Sequence, residues 1–174
     1  DTSELIKIAN GELVTTNILN ITKGKKGDPG EIRGTIESGH TIGNIDKNTS
    51  FGVFGTLNKT PYINIQNNDE IEVALREEIK IEDAQIICEL ENGKREKYNI
   101  KIQKVFLNNN KDNKSMLIKI TDEKLLEKTG GIIQGMSGAP IIQNGKVIGA
   151  VTHVMINDPT RGYGILAENM LKSI

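Results

Sequence analysis

An all-β domain of short strands and tight turns is what this chain predicts. Aromatic residues make up only 3% of it, and Trp is absent. Ile, Leu and Val carry the apolar content, which favours strands over helices. Glycine is plentiful at 18, as turns between many strands require. Short apolar or period-2 runs recur along the chain, separated by turn residues at barrel-like spacing.

In chain order these runs are LIKIAN, LVTTNILNI, EIRGTIE, IEVAL, AQIICEL, KYNIKIQKVFL, SMLIKI, GIIQG, APIIQ and KVIGAVTHVMI. Asn144-Gly145 is the sharpest turn signal, because a two-residue type I′ turn needs positive φ at both central positions. It places Pro140 to Gln143 and Lys146 to Met155 on hairpin strands, and Glu91-Asn92-Gly93-Lys94 reads the same way. Two short stretches read as helix, Glu123 to Lys128 and Leu166 to Ser173. Thr121 or Asp122 would cap the first and Gly130 would end it. Pro29, Pro61 and Pro159 mark loops or strand edges.

With 174 residues the chain is long enough for one well-buried domain, and a single folding unit over 1–174 is expected. Its 22 basic and 23 acidic residues leave a net charge of -1, which gives nucleic acid or an acidic membrane no general attraction. One cysteine and two histidines cannot build an internal disulfide or a zinc cluster, so neither metal nor cofactor is expected. Cys88 sits in an apolar run and reads as a buried, inert thiol. No run approaches a membrane span, and no signal-peptide pattern opens the chain.

Chemistry concentrates in Gly130 to Pro140, GGIIQGMSGAP, where Ser137 lies between small residues. A peptidase must bring a foreign backbone against its nucleophile, and only small residues permit that approach. The amides of Gly135 and Ser137 could then share one pocket and hold the oxyanion formed when Ser137 attacks. A Gly-rich turn leading into the next hairpin accounts for the same residues.

The stretch GGIIQGMSGAPIIQNGKVIGAVTHVMINDPTRGYGI resembles the end of the stage IV sporulation protein B (SpoIVB) peptidases. TIGNIDKNTSFGVFGTL and ITDEKLLEKTGG resemble earlier segments of the same family, so the likeness spans nearly the whole chain. It implies a chymotrypsin-like double β-barrel, with the first barrel incomplete at its N-terminus, and His, Asp and Ser in that chain order. Ser137 takes the nucleophile's place and Asp122 the acid's, although an Asp there is also what a helix N-cap requires.

The family's histidine belongs to a Gly-His-x-Ile-Ser-Asp-x-Asp-Thr-like stretch whose tail matches Asp1-Thr2, which puts the base before residue 1 and leaves this chain inactive alone. His40 precedes the serine, but the TIGNID after it matches a later family segment. His153 follows the serine and reads as a buried, hydrogen-bonded wall of the substrate pocket. Gly162, Tyr163 and Gly164 are expected to line the site and present backbone to an extended substrate, or simply to turn a strand end.

For the whole protein the resemblance implies an N-terminal membrane segment, a PDZ domain and self-cleavage. It also implies export to the intermembrane space of the developing spore. Its protein substrate there would be a membrane-associated regulatory subunit of an intramembrane protease complex, cut to trigger sigma-factor processing. A non-catalytic peptide-binding module that keeps the cleft is the alternative, and the serine hydroxyl argues against it.

Overall fold

A computed structural model describes residues 11–58, 70–106, 114–172 and 174. The sequence expectations at Asp1-Thr2, LIKIAN, Pro61, Leu107 and Ser173 lie outside the described residues. Two sheets form. Strands β1 (Gly11–Thr22), β2 (Glu31–Thr49) and β3 (Gly52–Leu57) make an open antiparallel sheet in that order.

Six more strands close into a barrel: β4 (Asp83–Glu91), β5 (Lys94–Val105), β6 (Met116–Ile120), β7 (Pro140–Gln143), β8 (Lys146–Val154) and β9 (Arg161–Leu166). Their order around it is β4-β5-β6-β9-β8-β7. One complete barrel and one partial sheet are thus the architecture the sequence predicts.

Alternation explains the barrel. Along β5 and β6 every second residue points inward, so Tyr98, Ile100, Ile102, Ile118 and Ile120 are buried while the lysines between them face water. Ile86, Ile141, Ile148 and Val151 complete a continuous core. Glycines permit the closest strand approach: a Cβ on Gly149 would lie 2.0 Å from the Ile165 carbonyl oxygen.

Local signals translate directly. Helix α1 (Glu123–Thr129) starts where Asp122 Oδ1 accepts from Leu125 N at 3.1 Å and ends at Gly130 in the left-handed region. Asn144 and Gly145 both have positive φ, as the hairpin requires. At the other hairpin only Gly93 does. Asn92 instead turns its amide onto β1, accepting from Ile18 N and donating to Ile18 O, and a bulge between Glu89 and Glu91 absorbs the difference.

Non-local features differ more. IEVAL is not a strand: Val73 makes one isolated bridge to Val147, and a 3-10 turn follows at Arg76–Glu78. GIIQG is a turn tied to the start of β2 through Gln134. Conversely, β2 runs on to Thr49 and β3 forms from GVFGTL, neither of which alternates cleanly. The C-terminal helix α2 is Ala167–Leu171, since Leu166 still belongs to β9. Among the described residues no helix is long and apolar enough to cross a membrane.

Candidate active site

Ser137 stands exposed on the loop between α1 and β7. Two interlocked turns hold it there. Met136 is buried, its amide donating to Ile133 O at 3.2 Å, and Ala139 N donates to Met136 O at 3.0 Å. A pair of bonds then pins the loop to β8, from Gly138 N to Val151 O and from Val151 N to Ala139 O. On the other side Gln134 exchanges backbone bonds with Gly30 and Ile32.

This bracing leaves an alternation of amides. Those of Met136, Gly138 and Ala139 are engaged, whereas those of Gly135 and Ser137 donate to no acceptor among the described residues. Two unengaged donors on the nucleophile's own loop are what stabilisation of a tetrahedral oxyanion needs. Glycine is obligatory at 135: its φ is +99°, and a Cβ would sit 3.0 Å from the Ile32 side chain.

The Ser137 hydroxyl donates to Thr152 O at 3.1 Å. Thr152 is the extra residue of a bulge on β8, where pairing with β9 shifts between Val151 and His153. Beyond the bulge Met155 N donates to Arg161 O, so the Val154 N–H and C=O face away from β9. The β7–β8 pairing reaches its end at Pro140 and Ala150, beside the serine.

A cavity of about 400 Å³ adjoins Ser137 and Gly138. Residues 150 to 153 of β8 form one wall, Ile165 and Met170 another, and Phe51, Gly52 and Val53 at the β2–β3 turn close it. His153 is among the lining residues, and it is exposed rather than buried, because the bulge at Thr152 reverses the inward-outward alternation.

The remaining sequence candidates lie elsewhere. Gly162 and Gly164 are buried mid-sheet between β6 and β8, and a Cβ on Gly162 would meet Ile132 Cδ1 at 2.5 Å and His153 O at 2.3 Å. Their small size serves packing, and Ile165 is the β9 residue that reaches the cavity. Tyr163 stacks under the Lys114 ammonium.

Asp122 does not line the cavity. Its Oδ2 accepts from Asn99 N at 3.0 Å while Oδ1 caps α1. His40 is on a bulged stretch of β2, with Nδ1 3.2 Å from Glu37 Oε2. Hydrogen bonds from Thr15, His40 and Asn17 hold the Glu37 carboxyl below its ordinary range. His40 does not line the cavity either.

Sequence reasoning missed Thr152, Phe51, Val53 and Met170. Only the GMSG loop carries a local signature; the others reach the site through strand pairing. Among the described residues no group of three His, Cys, Asp or Glu is placed to hold a metal.

Comparison with known proteins agrees with this architecture. No curated protein matches the chain. The crystal structure of the Rv3671c protease in its inactive form superposes with a TM-score of 0.53 at 15% identity, covering 94% of this chain and 86% of that one. At that identity the likeness speaks for the fold: a chymotrypsin-like protease fold. The family model for SpoIVB peptidase S55 matches residues 1–171. With Ser137, its paired amides and the barrel that carries them in view, this chain belongs to the SpoIVB peptidase S55 family, the serine peptidases of sporulation.

Proposed function

We propose that Ser137 is the nucleophile of an endopeptidase that cuts itself and a membrane-associated regulatory subunit of an intramembrane protease complex, so triggering sigma-factor processing. The observation carrying the chemistry is the exposed Ser137 hydroxyl on a loop where the Gly135 and Ser137 amides are both unengaged among the described residues. The substrate, and action in the space between the two membranes around the forespore, rest on the family resemblance.

In this reading the substrate lies extended beside β8 near Val154, and the Ser137 hydroxyl leaves the Thr152 carbonyl to face the scissile bond. Ser137 Oγ then attacks the scissile carbonyl, and the Gly135 and Ser137 amides receive the negative oxygen. The proton passes to a histidine upstream of residue 1 and on to the leaving amine. Without that base the hydroxyl stays protonated near neutral pH, so residues 1–174 alone are expected to be nearly inert. Asp122 enters as the triad acid through the resemblance, in addition to capping α1.

The test is to incubate the full-length protein with the purified regulatory subunit and follow fragments by mass spectrometry. Cleavage that vanishes in Ser137→Ala is expected. Cleavage that persists in Ser137→Ala overturns the assignment of the nucleophile; tight binding without any cleavage favours a peptide-holding module.

A further inference from the structure

We infer that the outer face of β5, β6 and β9 is an exosite, separate from the catalytic centre, that captures an acidic segment of the protein substrate. That the captured protein is also cut rests on the reading of Ser137 as nucleophile. Register brings the charges together. Lys101 of β5 lies opposite Lys119 of β6, and Lys119 lies opposite Arg161 of β9, so three cations stand in one row across three strands. Alternation turns them outward, since Ile100, Ile102, Ile118, Ile120 and Gly162 beside them are buried.

Like charges directly opposite each other destabilise a sheet. Elsewhere the barrel's lysines are matched: Lys94, Lys124 and Lys128 reach the Glu91 and Glu96 carboxylates, and Lys146 reaches Glu72 and Glu78. Among the described residues Lys101 and Lys119 have no carboxylate within ion-pair distance, and neither do Lys104 and Lys114 nearby. Lys104 Nζ is 5.1 Å from the Phe106 ring centroid and Lys114 Nζ 5.3 Å from that of Tyr163, so ring faces hold both ammonium groups without neutralising them. A chain of net charge -1 has thus gathered unmatched cations on one face.

Strand pairing joins this face to the site. His153, which lines the cavity beside Ser137, lies opposite Tyr163, Tyr163 opposite Leu117, and Leu117 opposite Lys104. Three strand spacings make about 14 Å, the reach of roughly four or five residues of extended chain. The shape of the strip favours a chain over a lipid surface. Asp83 lies opposite Lys101 on the β4 side, and the Asp158 carboxylate stands 3.0 Å from Arg161 Nε on the other. Carboxylates therefore border a strip about 10 Å wide. A flat anionic membrane would be pressed against them, whereas a single acidic segment lies between them.

The experiment follows the anisotropy of a fluorescent oligoglutamate titrated with the full-length protein, unaltered and as Lys101→Gln/Lys119→Gln. Loss of two aligned cations should weaken binding at least about tenfold, as should raising salt from about 0.05 M to about 0.5 M. The variant's urea midpoint should not fall, because a like-charge pair is relieved. Fluorophosphonate labelling of Ser137 should be the same in both proteins, and the KM for the regulatory subunit should rise in the variant with kcat unchanged. Oligoglutamate that binds both proteins equally or neither, or an unchanged KM, overturns the exosite. So does lysine-dependent sedimentation with vesicles of equal parts phosphatidylglycerol and phosphatidylcholine when oligoglutamate fails to bind, which identifies a lipid contact instead. Lysine-dependent oligoglutamate binding in a protein that takes no label at Ser137 keeps the surface and removes the nucleophile.

Discussion

The closed barrel and the three-stranded sheet hold together in different ways. Every strand of the barrel pairs on both sides, and its interior contains fully buried side chains such as Ile86, Ile100 and Ile118. Among the described residues β1 and β3 are the edges of the sheet, β1 has no buried residue, and Leu19 and Ile36 are 67% and 70% exposed. Contact with the barrel comes through Ile21 and Ile32, which pack against its core, and through bonds from Gly24 N to Thr129 O and Ile32 N to Gln134 O. The lesson concerns the site. The serine and the two amides lie on a loop of the barrel, while Phe51 and Val53, which close the cavity, belong to the sheet.

The largest expected effect breaks the barrel. Ile118→Ala removes a fully buried side chain and should cost about 3 kcal/mol, read as a drop in urea midpoint. Next comes the junction: Gly135→Ala forces a β-carbon into a positive-φ position against Ile32, costing about 2 kcal/mol and slowing phosphonate labelling about 100-fold.

Asp122 separates two roles. Asp122→Ala should cost at least about 1 kcal/mol, losing the cap and the acceptor of Asn99 N, whereas Asp122→Asn keeps the cap and loses only that second acceptor. Labelling that falls far more than the stability of the Asn variant identifies the triad acid; labelling that is unchanged in the folded Asn variant identifies a structural residue alone. In the sheet, Ile36→Ala should stay within about 0.5 kcal/mol, and amides of β1 should exchange by local opening well before those of β5.

One pH effect belongs to the barrel. Burial, then the nearby Glu96 carboxylate, push the Cys88 thiol up from 9.0 to about 11. Between those values the unfolded chain has released a proton that the folded chain keeps, so stability falls as pH rises through the window. Urea midpoints at pH 8 and pH 10.5 check this, and Cys88→Ala should shrink the difference.

What could be read from the sequence follows the range of each interaction. The α1 cap at Asp122, its Gly130 stop and the Asn144-Gly145 turn depend on neighbours a few residues away, and each is where the pattern puts it. Strand β3 and the second half of β2 depend on partners instead: GVFGTL gains its conformation by pairing with β2. The site divides the same way. Gly135 and Ser137 declare themselves by spacing, but Thr152 enters through a bulge, Met170 through the last helix and Phe51 through the other sheet. His153 shows the limit: alternation puts it inside, and one inserted residue turns it out.

The most direct test is labelling of Ser137 by a fluorophosphonate, in a chain extended upstream through the histidine that the family resemblance expects and in residues 1–174 alone. A single adduct on Ser137 in the extended chain, at least about 1,000-fold slower in residues 1–174 and absent in Ser137→Ala, is the expected result. An adduct on another residue, or none at Ser137 in the folded extended protein, would contradict it.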